Sequence, residues 1–222
     1  MGIVGSTAYG LDHAGSDIDR LGVYVAPIDD VLGIENVTET IVQHEPDIVV
    51  HEVAKLVRLA LRCNPTITET LWLGKYEQST HDGRELVRNR RRFLSAKCVR
   101  GSYLGYASDQ FKRIKRRESN DFSSDTKHRV RKHSIQMRRL AIQGAHLWRT
   151  GELVLKVDDP QAYFDFGDAV QAGDLWPVES LMVWAEKQFE PKDCALPEMP
   201  DRWLANELVV DIRRGQLEQE CD

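Results

Sequence analysis

The sequence predicts an α/β (α+β) fold: a small mixed β-sheet core followed by a helical C-terminal domain. Two observations carry this. Short β-rich runs occupy residues 2–52. Helical spacing takes over from about residue 84.

The elements follow in order. "GIV" and "LGVYVAP" are short β-rich runs, and "ETIVQHEPDIVVHE" holds two more, divided by Glu45 and Pro46. "HEVAKLVRLALRC" changes to a helical period, with Val53, Leu56, Val57 and Ala60 on one side. Asn64-Pro65 ends that helix, and "TITETLWL" begins a short second one behind a threonine cap. Beyond residue 84, "GRELVRNRRRFLSAKCV", "GSYLGYASDQFKRIKRR", "TKHRVRKHSIQMRRLAIQGAHLWRTG", "VESLMVWAEKQFE" and "DRWLANELVVDIRRGQLEQ" all carry helical spacing. Gly101, "RESNDFSSD", Gly151 and "PKDCALPEMPD" separate them. The expected division is residues 1–80 and residues 81–222.

A chain of 222 residues can bury the core of one sizeable domain or two small ones. No apolar run approaches the length of a membrane span. No leader is expected, because Met1 runs almost directly into a Gly-Ser turn. Cys63, Cys98, Cys194 and Cys221 lack CxxC spacing, which argues against a zinc site or a disulfide framework and for a reducing cytoplasm. The net charge of −5 conceals an asymmetry. Residues 84–139 hold 18 Lys and Arg against 5 Asp and Glu, while the remainder holds 12 against 30. A basic surface on an acidic protein points to a polyanionic partner.

Chemistry concentrates in "GSTAYGLDHAGSDIDRLGVYVAP". Gly5 follows a short strand and lets the backbone approach a ligand, while Ser6 and nearby N–H groups could hold phosphate oxygens. Asp17 and Asp19, spaced i, i+2, project from one strand face, with Ile18 expected in the core. Two carboxylates so close repel unless a cation answers them, and hard oxygen donors suit Mg²⁺. A third carboxylate would complete a two-metal site. Asp47, at the head of "DIVVHE", is the first choice; Glu52, on the opposite strand face, is the second and Glu45 the third. A lone D-x-D is also a common turn pattern. Glu69 and Trp72 read as packing and capping residues. Tyr103, Tyr106 and Gln110 form one helical stripe, left open between core packing and base stacking. His128, His133 and His146 have no zinc-ligand companions.

Gly-Ser, a gap of nine residues, S-D-x-D and an apolar strand together resemble the DNA polymerase β-like nucleotidyltransferase superfamily. "SDIDRLGVYVAP", "NPTITETLW", "YLGYASDQ", "RKHSIQMRRL" followed by "LWRTGEL", and "LPEMPD" are similar to successive blocks of one branch, the predicted nucleotidyltransferases associated with RNA repair. The resemblance implies a nucleotidyltransferase core over residues 1–80. Gly5 and Ser6 would form its nucleotide-phosphate turn. Asp17 and Asp19 would bind two Mg²⁺ ions, and Asp47 would be the third metal ligand and polarise the attacking hydroxyl. It also implies a helical lysine near the triphosphate, at Lys132, with Arg139 seven residues on; Gln136 stands where a histidine is implied. The expected reaction moves an NMP from an NTP, ATP or another, to a hydroxyl with release of pyrophosphate. The basic segment favours an RNA end as acceptor over a protein or small-molecule hydroxyl. The competing expectation is a non-catalytic module that binds nucleic acid or a partner on a degenerate transferase scaffold.

Overall fold

The structure, a computed structural model, describes residues 1–34, 36–118 and 124–220. Most of the "RESNDFSSD" tract, and Cys221, lie outside them. The strands are β1 (Gly2–Ile3), β2 (Arg20–Tyr24), β3 (Thr40–His44) and β4 (Asp47–Glu52). The helices of the first part are α1 (Gly5–Tyr9), α2 (Ile28–Leu32), α3 (Val53–Ala60), α4 (Pro65–Leu71) and α5 (His81–Arg88). Then follow α6 (Ala96–Val99), α7 (Gly105–Glu118), α8 (Ser124–Thr150), α9 (Pro160–Gln171), α10 (Trp176–Gln188) and α11 (Arg202–Glu220). The class is α+β, with a small mixed sheet and a helical region after it.

The chain forms two compact units, residues 1–95 with 199–222, and residues 96–198. The expected boundary near residue 80 therefore falls inside the first unit. The reason is apolar: Leu86, Phe93 and Leu94 are buried, as are Ala205, Val209 and Ile212 of α11, which packs on α3 and α5.

In the sheet unit the strand order is β1-β2-β4-β3, with β2 and β4 parallel and both outer pairs antiparallel. Glu45-Pro46 forms the turn between β3 and β4, closed by the His44–Asp47 pair. The four residues expected on the apolar side of α3 are all buried, each contributing roughly 1.5–3 kcal/mol for the larger aliphatics. Glu52 caps α3, accepting the Ala54 N–H at 2.7 Å. After α3 the chain reverses through Cys63 at φ 51, a left-handed conformation, and the Asn64 N–H returns to the Leu59 carbonyl at 3.1 Å. The cap of α4 is Asn64 rather than the expected threonine: its Oδ1 accepts the Ile67 N–H at 3.3 Å, and Pro65 fills the first turn. Asp201 caps α11 in the same way, accepting the Leu204 N–H at 3.0 Å.

In the helical unit α8 is central, packed by α7, α9 and α10. Ile135, Met137, Leu140, Ala141 and Leu147 are buried on it, too many directions for a one-sided helix. Gly144 is required where α8 meets the preceding wide helical turn at Arg100–Leu104, since a Cβ would overlap Tyr103. That turn keeps the chain helical through Gly101, where a break was expected. Among the described residues no helix is long and apolar enough to cross a membrane.

Glu52 also pairs with Arg213 of α11 at 2.9 Å, and it is 3% exposed. Arg213→Met strands that buried carboxyl and should destabilise the chain by about 3 kcal/mol, the low end for a broken buried pair because the guanidinium keeps some contact with water. Asn64→Ala, which removes only a cap, should cost about 1 kcal/mol. Urea unfolding of the two variants measures both.

Candidate active site

The site begins where β1 ends. The Val4 N–H donates to the Asp19 carbonyl at 2.9 Å, joining the end of β1 to the approach to β2. The chain then turns into α1 at Gly5, whose φ of +71° is left-handed. A second constraint acts on the same residue. A Cβ on Gly5 would collide with the Asp19 carboxyl oxygen Oδ2, so only glycine lets the backbone and that side chain meet. Ser6 follows, half-buried. Between α1 and β2 the chain folds on itself: the His13 N–H donates to Ser16 Oγ, and the Ser16 N–H to the His13 carbonyl, each at 2.9 Å. Asp17 emerges exposed, just before β2. Ile18 is 48% exposed, which corrects its expected place in the core: β2 begins only at Arg20, past the point where its pleat could turn Ile18 inward.

The parallel register pairs Arg20 with Ile48 and Leu21 with Val49. Asp19 directly precedes Arg20 and Asp47 directly precedes Ile48, so the two aspartates lie at the same end of the parallel pair. Glu52 is elsewhere. It pairs with Tyr24 at the other end of β4, about 16 Å from Asp47 along the strand, and is engaged by α3 and Arg213. Glu45 is exposed in the β3–β4 turn. Further along the Asp47 face, His51 Nδ1 lies 3.0 Å from Thr40 Oγ1. Burial, and then the Lys55 charge, hold its pKa below the usual histidine value. Among the described residues no group of three His, Cys, Asp or Glu side chains is gathered closely enough to hold a metal. The structure thus brings Gly5 against Asp19 and puts Asp47 at the same end of the β2–β4 pair, while among the described residues the carboxyls stop short of a three-ligand cluster.

Behind the turn lies a contact the sequence did not announce. Tyr9, the buried last residue of α1, donates its hydroxyl to Glu69 Oε2 of α4. Glu69 is 2% exposed. Trp72, next to it in the fold, is buried under Arg90, whose Cζ sits 4.9 Å from the ring centroid. The packing expected of Glu69 and Trp72 is present. The Tyr9 link has no local signal, because its partners are 60 residues apart.

In the helical unit Lys132 is exposed on α8. Arg139, on the same stripe, is 5% exposed. Gln136 Oε1 accepts from its Nε and Nη2 at 3.0 and 2.8 Å, and Gln143 Oε1 accepts from Nη1 at 2.7 Å. Gln143 in turn donates to the carbonyls of Val154 and Leu155. Arg139 therefore ties α8 to the segment after it, and Gln136 is part of that tie. Tyr103 is in the core, whereas Tyr106 is exposed and Gln110 half-buried. Lys112, Arg113, Lys115, Lys127 and Arg129 are exposed.

Searches of curated proteins and of solved structures returned no match. A family model does match, over residues 1–164, and it spans the Gly-Ser turn, both aspartates before β2, all of β4 and the whole of α8. On that match the chain belongs to RlaP, the RNA repair pathway DNA polymerase beta family.

Proposed function

We propose that this protein is a metal-dependent nucleotidyltransferase that moves an NMP from an NTP, ATP or another, to a hydroxyl at an RNA end in the cytoplasm. The observation that carries the reading is the contact between Gly5 and the Asp19 carboxyl, which sets a glycine turn against the S-D-x-D pair. Family membership supports a nucleotidyltransferase role connected with RNA repair.

The donor set fits a hard divalent cation. Asp17 and Asp19 are closely spaced carboxylates, and Mg²⁺ is typically held by one or two carboxylates with substrate phosphates completing its shell. Asp17, Asp19 and, from the neighbouring strand, Asp47 would hold Mg²⁺, two ions by expectation, which when bound would neutralise charge on the triphosphate and on departing pyrophosphate. The chain's own residues do the rest. Gly5 lets main-chain N–H groups come close to the phosphates, and the Ser6 hydroxyl donates to a phosphate oxygen. Asp47 orients the acceptor hydroxyl and takes its proton. The acceptor oxygen bonds to the α-phosphorus, the α–β phosphoanhydride bond breaks, and pyrophosphate leaves with the electron pair. Lys132 and the exposed Lys and Arg of α7 and α8 contact phosphates of the polyanion.

The test is label transfer from α-labelled NTPs to a panel of RNAs with Mg²⁺ present. Asp17→Ala/Asp19→Ala should lower transfer by at least about 100-fold, on the scale of losing a main electrostatic stabiliser, while RNA retention persists. RNA binding without transfer to any acceptor would instead establish a non-catalytic binding module. Gly5→Ala should destabilise by about 1–2 kcal/mol through its left-handed φ, and should depress transfer further than that loss of folded protein explains. Replacing Lys112 or Lys127 by Ala should weaken RNA retention across sequences and flatten its salt dependence by about one phosphate contact each.

A further inference from the structure

The reading above leaves unexplained why a buried carboxyl should meet a buried phenol behind α1. We infer that Glu69 is a positioning residue for the phosphate turn, acting through the Tyr9 hydroxyl; this rests on the nucleotidyl-transfer reading. The phosphate turn opens α1, a helix of five residues. So short a helix has almost no stability of its own, and its direction must be set from its two ends. At one end Gly5 abuts the Asp19 carboxyl. At the other, the chain closes at Gly10 with φ 69, and Tyr9 reaches Glu69.

Glu69 is well mounted for such a role. Its helix is fixed by the Asn64 cap and Pro65, and Ile67 and Leu71 on the same helix are buried. Arg90 adds a bond to the Leu71 carbonyl at 3.4 Å. A mount this rigid transmits position rather than compliance.

The chemistry of the pair supports the same conclusion. Burying a carboxyl and a phenol gains little net stability over two apolar side chains of the same shape, because both lose water. What the pair gains is direction: a hydrogen bond fixes where Tyr9 sits in a way that packing alone does not. A slide of α1 by 1 Å would carry Gly5 and Ser6 with it, and misplacement of that size can cost about 100-fold in rate.

The experiment compares wild type, Glu69→Gln, which keeps an acceptor for the phenol, and the apolar pair Tyr9→Phe/Glu69→Leu. Three readouts are taken on the full chain: Tm, hydrogen exchange of the amides of residues 5–9, and kcat and KM for the NTP. The apolar pair should keep the wild-type Tm, exchange faster over residues 5–9, and lose about 10- to 100-fold in kcat/KM for the NTP, with RNA retention unchanged. Glu69→Gln, which keeps the bond to the phenol, should retain most of the wild-type kcat/KM. Unchanged exchange over residues 5–9 in the apolar pair overturns the inference, whether or not the wild type is an enzyme. Faster exchange with unchanged kcat/KM overturns it too. If the apolar pair loses Tm, Tyr9→Phe alone is read by the same ratio of exchange to kcat/KM. A wild type that transfers nothing but binds Mg–ATP overturns only the transfer reading, and ATP affinity then replaces kcat/KM; one that does neither overturns both.

Discussion

The sheet unit closes on one buried carboxyl. Glu52 ends β4, caps α3 and holds Arg213, which lies 161 residues further along the chain. Removing a carboxylate from water is expensive, and it persists here because two partners answer it, an N–H and a guanidinium. The polar capacity of that end of β4 is thereby used in folding. The opposite end carries Asp47, exposed and at the same end of the β2–β4 pair as Asp19. A single strand thus separates two duties: cohesion where it meets α3, and exposed acidity where it leaves the turn.

How much of this was legible depended on distance along the chain. The apolar face of α3 could be read because its period repeats within eight residues. β3 and β4 could be read as separate strands because Glu45-Pro46 interrupts two β-rich runs. Five-residue helices such as α1 and α2 complete barely more than one turn, so no period marks them. α9 was missed although Asp159 and Pro160 form a good start signal, because its aromatic and glycine content hides the helical spacing. The acidic pair and the Gly-Ser turn were legible as types and spacing. That Asp19 rests against Gly5, or that Glu69 reaches Tyr9, follows only from the folded path.

The basic segment shows the same limit. Residues 84–139 were counted as one charged surface, but the fold divides them between two units at residue 95. Arg139 is interior and serves Gln136 and Gln143. Arg131 pairs with Asp168, and Lys115 with Glu179. Arg138 stacks over Tyr163 and Phe166. A charge count cannot tell a guanidinium that organises a helix from one that faces a polyanion; burial separates them.

The discontinuity of the sheet unit sets an order of assembly. A ribosome releases residues 1–95 first, yet their packing surface for α11 stays unfilled until residues 199–213 have been made. The intervening unit is contiguous in sequence and can fold as soon as it emerges. The unit over residues 96–198 can therefore be complete before the sheet unit, and the segment bearing the acidic pair reaches its final packing only after α11 has been made. Any nascent or truncated chain lacking α11 leaves the Glu52 carboxyl without its cation, so the unit that carries the acidic pair is also the one that registers whether synthesis ran through to α11.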